Sequence, residues 1–152
     1  MKITIRTKGF KEIEQALKGI EKKATAKVVM RRSLIKAAKP VADKAQAMAP
    51  KGPKPELSPS VGVSTKLSKR QKKLHRKAFR SDKASVEVFV GAGPLSSAHN
   101  QEFGNENHVA QPFLRPAWDA EGRATLDRLG DEMWRQIEAQ ARRTAKKNGW
   151  EV

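Results

Sequence analysis

Ile3 and Ile5 alternate with Thr4, which predicts a short strand over residues 2–6 that breaks at Gly9. The period then changes. Phe10, Ile13, Leu17 and Ile20 recur at helical spacing and predict a helix with one apolar stripe. Glu12 and Glu14 lie near its start and Lys18, Lys22 and Lys23 near its end, the order that the helix dipole favours. A second helical pattern runs from about Thr25 to Met48. Val28, Ile35, Ala38, Ala42 and Ala45 form one stripe, and Met30, Leu34, Ala37, Val41 and Met48 form another beside it. So broad an apolar surface implies a core on one side and another layer or subunit on the other. Pro40 lies inside this pattern and either kinks the helix or divides it in two.

Pro50, Gly52, Pro53, Pro55 and Pro59 predict a loop over residues 50–60, followed by a weak strand at Val61 and Val63. Residues 66–80, KLSKRQKKLHRKAFR, admit two readings: a thin helical stripe of Leu67, Leu74 and Ala78, or a basic arm between two strands. Residues 85–91 give the clearest strand, with Val86, Val88 and Val90 on one face and Glu87 and Phe89 on the other, closed by Gly91-Ala92-Gly93-Pro94. A long helix is predicted from about Leu114 to Lys147. Trp118, Leu126, Leu129, Met133, Ile137 and Ala141 form its stripe, Trp134 lies beside that stripe, and Pro116 stands in the first turn. Gly122 and Gly130 each weaken it by roughly 1 kcal/mol relative to alanine.

These elements predict an α+β fold, with a small antiparallel sheet packed with two N-terminal helices and a long C-terminal helix. A length of 152 residues suits a single domain over 1–152, with a basic extended arm or hairpin at about 51–84. The absence of cysteine excludes disulfides and thiolate metal sites. No apolar run approaches the ~20 residues of a membrane span, and the N-terminus lacks the apolar centre of a secretory signal. The expected place of synthesis is the cytoplasm.

The net charge of +16 is unevenly laid out. Residues 51–83 hold 11 basic and 2 acidic side chains, whereas residues 84–112 hold no lysine or arginine and three acids, Glu87, Glu102 and Glu106. Such a chain attracts polyanions, either nucleic acid or an acidic protein surface. The cations Lys66, Lys69, Arg70, Lys72, Lys73, Arg76 and Lys77 suit phosphate contacts. The run has Phe79 as its one aromatic residue and no groove-reading motif, so contact with nucleic acid would be indifferent to sequence.

Catalytic chemistry finds little support. His75, His99 and His108 lack the i, i+4 partner of a helical zinc site. Ser96 and Ser97 before His99 do not by adjacency make a nucleophile and base. Gly91-Ala92-Gly93-Pro94 lacks the lysine and spacing of a phosphate loop. The sequence predicts no enzyme, no cofactor and no resident metal.

The most specific residues are Glu102-Phe103-Gly104, read as a loop closed by glycine, and Gln111-Pro112-Phe113-Leu114-Arg115-Pro116-Ala117-Trp118, read as an anchored entry into the last helix. With GFKEIEQALKGI, AAKPVADKAQAMAP and the strand ending VGAGP, they resemble the small neck and tail-completion proteins of long-tailed bacteriophages, often labelled tail components. The resemblance covers nearly the whole chain. It departs where Ser97-Ala98-His99-Asn100 stands in place of an aromatic residue and alanine, and in the long basic stretch 51–83. It implies a virion protein at the head–tail interface, acting in a ring of about six or twelve copies. The implied partners are head-closure or connector proteins and the tail terminator or tail tube protein, with transient contact with phage DNA and no membrane.

On that reading, Lys69, Arg70, Lys72, Lys73 or Arg76 of one subunit approaches Glu87, Glu102 or Glu106 of the next, or an acidic neighbouring ring, with Arg115 and Trp134 as further contact candidates. Phe103, Gly104, Pro112, Phe113, Leu114, Pro116 and Trp118 are the expected structural anchors, the two phenylalanines as buried pins. The competing expectations are a free, sequence-indifferent nucleic-acid binder and a basic toxin or regulator that binds an acidic partner.

Overall fold

The computed structural model describes residue 13 and residues 23–52, 56–80 and 86–147. The expected strand at 2–6 and all of the first expected helix except Ile13 lie outside these residues. The described elements are α1 (Lys23–Met48), α2 (Leu57–Ser60), β1 (Gly62–Ser64), α3 (Lys69–Ala78), β2 (Phe89–Gly91), α4 (Ser96–Phe103) and α5 (Leu114–Lys147). Strands β1 and β2 pair antiparallel, with Gly62 opposite Gly91, Val63 opposite Val90 and Ser64 opposite Phe89. The fold is α+β, mostly helical with this small sheet.

Two compact units emerge, one from residues 1–37 and 126–152 and the other from residues 38–125. In the first, Ile13, Val29, Met133 and Ile137 are buried together, with Met30 and Leu129 packed against them. Ser33, fully buried on α1, turns its hydroxyl back to the Val29 carbonyl at 3.0 Å and so needs no outside partner. In the second unit the core is Ala45, Ala49, Leu57, Val61, Ala92, Phe113 and Ala117. Four alanines around one phenylalanine let the backbones approach closely, and Phe113 is the largest side chain sealed from solvent.

Several expectations change. Pro40 does not divide α1, which runs unbroken through it. The buried line on α1 is Val29, Ser33, Ala37, Val41 and Ala45, continued by Ala49 just past its end and with Ala42 buried beside it, whereas Val28, Ile35 and Met48 are exposed. A line spaced by four winds around a 3.6-residue helix, so the buried face turns along α1 and two straight stripes misplace it. The loop expected over 50–60 contains the one-turn helix α2, with Pro59 inside it. The strand expected at 85–91 shortens to Phe89–Gly91, as long as the three-residue β1 can pair. For the basic run, the helical reading is the one seen. Ser68 and Gln71 form a reciprocal capping box at the start of α3, but Leu74 is exposed and the stripe is not a core face. Glu102-Phe103 ends an unforeseen helix, α4, rather than lying in a loop.

Candidate assembly surface

Helix α5 has no helix-capping residue type before it, since Gln111, Pro112 and Phe113 precede Leu114. Its first amides must find acceptors elsewhere, and Glu102 supplies them from the end of α4. Glu102 Oε2 accepts from the Phe113 amide at 2.8 Å and from the Leu114 amide at 2.9 Å. Oε1 accepts from the Arg115 amide at 3.1 Å and from Arg115 Nε at 2.9 Å. Pro116 has no amide hydrogen to satisfy, and the Ala117 amide begins the helical ladder on the Phe113 carbonyl at 3.4 Å. Every donor of the first turn thus has an acceptor. The carboxylate also places a negative charge at the positive end of a 34-residue helix.

The carboxylate is nearly sealed, at 3% exposure. Burial pushes its pKa up, but the amides of Leu114 and Phe113 and the two donors of Arg115 outweigh burial and hold it below the usual 4.5. Arg115 closes the arrangement from outside. Its Nη2 donates to the Glu102 carbonyl at 2.7 Å, and its guanidinium stands 5.0 Å from the centre of the Phe103 ring.

The link between the helices is a tight turn. Asn105 and His108 exchange amide–carbonyl bonds at 2.9 and 3.2 Å. The His108 ring lies 2.9 Å from Gln101 Oε1, and the Gln111 amide donates to the Gln101 carbonyl at 2.7 Å. Gly104 opens the turn at φ 75° and ψ 176°, a region glycine alone occupies readily. A Cβ there would stand 2.9 Å from the Ala110 nitrogen and 3.0 Å from the His108 oxygen.

The second feature is α3, mounted beside β2. His75 packs on the Phe79 ring at 4.9 Å and edge-on to Phe89 at 5.3 Å, with its Nε2 3.3 Å from Glu87 Oε1. Gln71 reaches the Gly93 carbonyl at 3.5 Å. With His75 and Gln71 facing inward, Lys69, Arg70, Lys72, Lys73 and Arg76 are left exposed.

The expected contact residues therefore separate. The five cations share α3, with Glu87 beside that helix and Glu106 exposed in the 105–108 turn. Glu102 is not a surface acid: both its oxygens are occupied inside the subunit. Arg115 is turned to Glu102, and Trp134 lies in the other unit at 36% exposure. Among the anchors, Phe113 is buried, Leu114 and Pro116 are half-buried, and Pro112 is exposed. Phe103 is 58% exposed, because α4 ends with its ring toward Arg115 and His99 rather than the core. Trp118 is 55% exposed, since Ala117 takes the buried position; its indole lies over Gly122, 3.2 Å from where a Cβ would stand.

Sequence reasoning missed the role of Glu102. The missing local cap before Leu114 was the available signal. Among the described residues no group of three His, Cys, Asp or Glu side chains is placed to hold a metal, and no helix is long and apolar enough to cross a membrane.

The two built features of this α+β chain are a helix start held by a buried carboxylate and a short helix that leaves its cations exposed. A family profile described as "Bacteriophage HK97-gp10, putative tail-component" matches residues 11–104, and the chain belongs to that family. The match spans α1 through α4 and stops at Gly104, before α5. No curated protein and no solved structure matches the chain.

Proposed function

We propose that this tail-component family member is a structural protein of the virion. It forms or decorates a ring at the head–tail junction and joins the head connector to the tail tube, acting by occupancy rather than turnover. The family supports a structural role in a phage tail. The observation that carries the finer reading is the pair of unlike surfaces in the second unit. Helix α3 presents cations outward, whereas residues 84–112 contain none. A head-to-tail ring needs two different, complementary patches on each subunit.

On this reading one acid remains for the cations to meet. Of the three acids expected to receive the cations, Glu102 is occupied and Glu87 faces His75, which leaves Glu106. Charge registers such an interface more than it holds it. The holding contacts are assigned to exposed aromatic side chains, Phe103 and Trp118 in one unit and Trp134 in the other.

Electron microscopy of the purified chain, and of particles made without it, tests this reading. Rings, together with heads and tails that fail to join, are expected; a monomer, with intact particles made in its absence, overturns it. Trp118→Ala should shift the oligomer toward monomer while the melting temperature stays near that of the wild type.

A further inference from the structure

We infer that the outward face of α3 is a binding site for the phosphate backbone of duplex DNA, contacted without regard to base sequence. At about 100° per residue, Lys69, Lys73, Arg76 and Lys77 fall within roughly 100° of one another on α3, flanked by Arg70 and Lys72. The inward side is taken by His75, set between Phe79 and Phe89, and by Gln71 at Gly93. The helix is therefore held with its cations away from its own chain.

Those cations have no ion-pair partner among the described residues; the one carboxylate paired with α3 is Glu87, on His75. Those at the start of α3 do not serve the fold, whereas Arg76 and Lys77 in the last turn complement the helix dipole. Lys69, Arg70 and Lys72 sit in the first turn, where no acid is present and where positive charge opposes the helix dipole. An anion docked along the face removes that opposition.

The chemistry favours phosphates in a row over carboxylates on a partner protein. From Lys69 to Lys77 the helix rises about 12 Å, over which duplex DNA carries about seven charges. The face is dominated by long, exposed side chains, with exposed Leu74 as its apolar member, and lacks the recessed apolar frame of a protein hot spot. Gln71, the sole amide side chain on α3, is bonded to the Ser68 amide and to Gly93, so it does not read adenine edges. Positioning without base selection follows.

This inference replaces Glu106 of a neighbouring copy with DNA as the partner of the α3 cations; the ring's holding contacts, Phe103, Trp118 and Trp134, are not on α3, so the two readings are measured separately. Binding of the full chain to a fluorescein-labelled duplex of about 20 base pairs is followed by anisotropy across a salt series. Lys69→Glu/Lys73→Glu/Lys77→Glu is compared with Arg142→Glu/Arg143→Glu/Lys146→Glu on α5. Each changes the formal net charge by the same six units, from +16 to +10. The α3 variant should bind at least about tenfold more weakly, with a log–log salt slope shallower by about 2.7, near 0.9 for each lost phosphate contact. The α5 control should change by less than about threefold. Equal losses in the two variants, no duplex binding by the wild type, or displacement of duplex by poly-glutamate at equal charge concentration would each overturn the assignment. Circular-dichroism melts verify folding, and a Lys→Gln triple at the same three α3 positions replaces the reversal if that variant unfolds. Ring formation by the α3 variant, scored by negative stain, reports on assembly independently of DNA binding.

Discussion

Each of the two units buries a glutamate, and the two are used differently. In the unit built from residues 38–125, Glu102 receives three backbone amides. In the other unit, Glu132 lies midway along α5 and receives side chains. These are Lys36 Nζ at 2.7 Å and Gln136 Nε2 at 2.9 Å from Oε1, and Arg135 Nη1 at 3.1 Å from Oε2. The pKa of Glu132 is lowered, first by the hydrogen bond from Lys36 and then by that from Gln136, against burial. The two residues are similarly hidden, at 3% and 7% exposure. Their partners differ in where they can go. An amide in the first turn of a packed helix cannot swing into water, whereas Lys36 and Arg135, with side chains 58% and 72% exposed, already stand in it. Burial alone therefore does not set the worth of a carboxylate; the freedom of its donors does.

The sharpest test of this contrast is Glu102→Ala against Glu132→Ala. The first strands buried amides and should lower the unfolding free energy by about 3–5 kcal/mol. The second leaves solvated cations and should cost about 1 kcal/mol. Equal losses in urea titrations would break the comparison. Phe113→Ala, which empties the centre of the alanine-lined core beside the Glu102 cap, should also cost about 3–5 kcal/mol. An unchanged melting temperature would move Phe113 out of the core. Gly104→Ala should cost about 1–3 kcal/mol from the backbone conformation alone, because the turn that brings Glu102 to α5 needs a region closed to alanine. Calorimetry reads the difference.

Acid weakens both networks. Each glutamate has a folded pKa below its unfolded value near 4.5. Each contribution is therefore present above about pH 4.5 and is lost as pH falls through the folded value. The urea midpoint should drop between pH 7 and pH 3.5, and Glu102→Ala should flatten that drop more than Glu132→Ala. The smallest expected change is at Gly122. Alanine gains helix propensity but meets the Trp118 indole, which is exposed and can swing aside. The melting free energy should stay within about 0.5 kcal/mol of the wild type.

The comparison also explains what was legible in the sequence. Helix α5 reads directly from its period and from Pro116, and α1 ends as expected at Met48. Periodicity works there because a helix repeats one local rule. It failed for α4, whose sequence SSAHNQEF carries too few apolar residues to mark a face. Burial on α5 slipped by one position at its start because Ala117, not Trp118, fits beside Phe113 in a core of alanines. The role of Glu102 is not a local property at all, since its three amide donors lie 11–13 residues further on. Family resemblance marked both segments as specific without showing that they bind each other.

That separation along the chain has a consequence for how the protein is made. During synthesis Glu102 leaves the ribosome roughly one second before residues 113–115, at about 10 residues per second. Closing a loop of that length takes on the order of 10–100 ns. The longest helix therefore meets an acceptor that has already emerged when Leu114 does, before most of its own residues have left the ribosome.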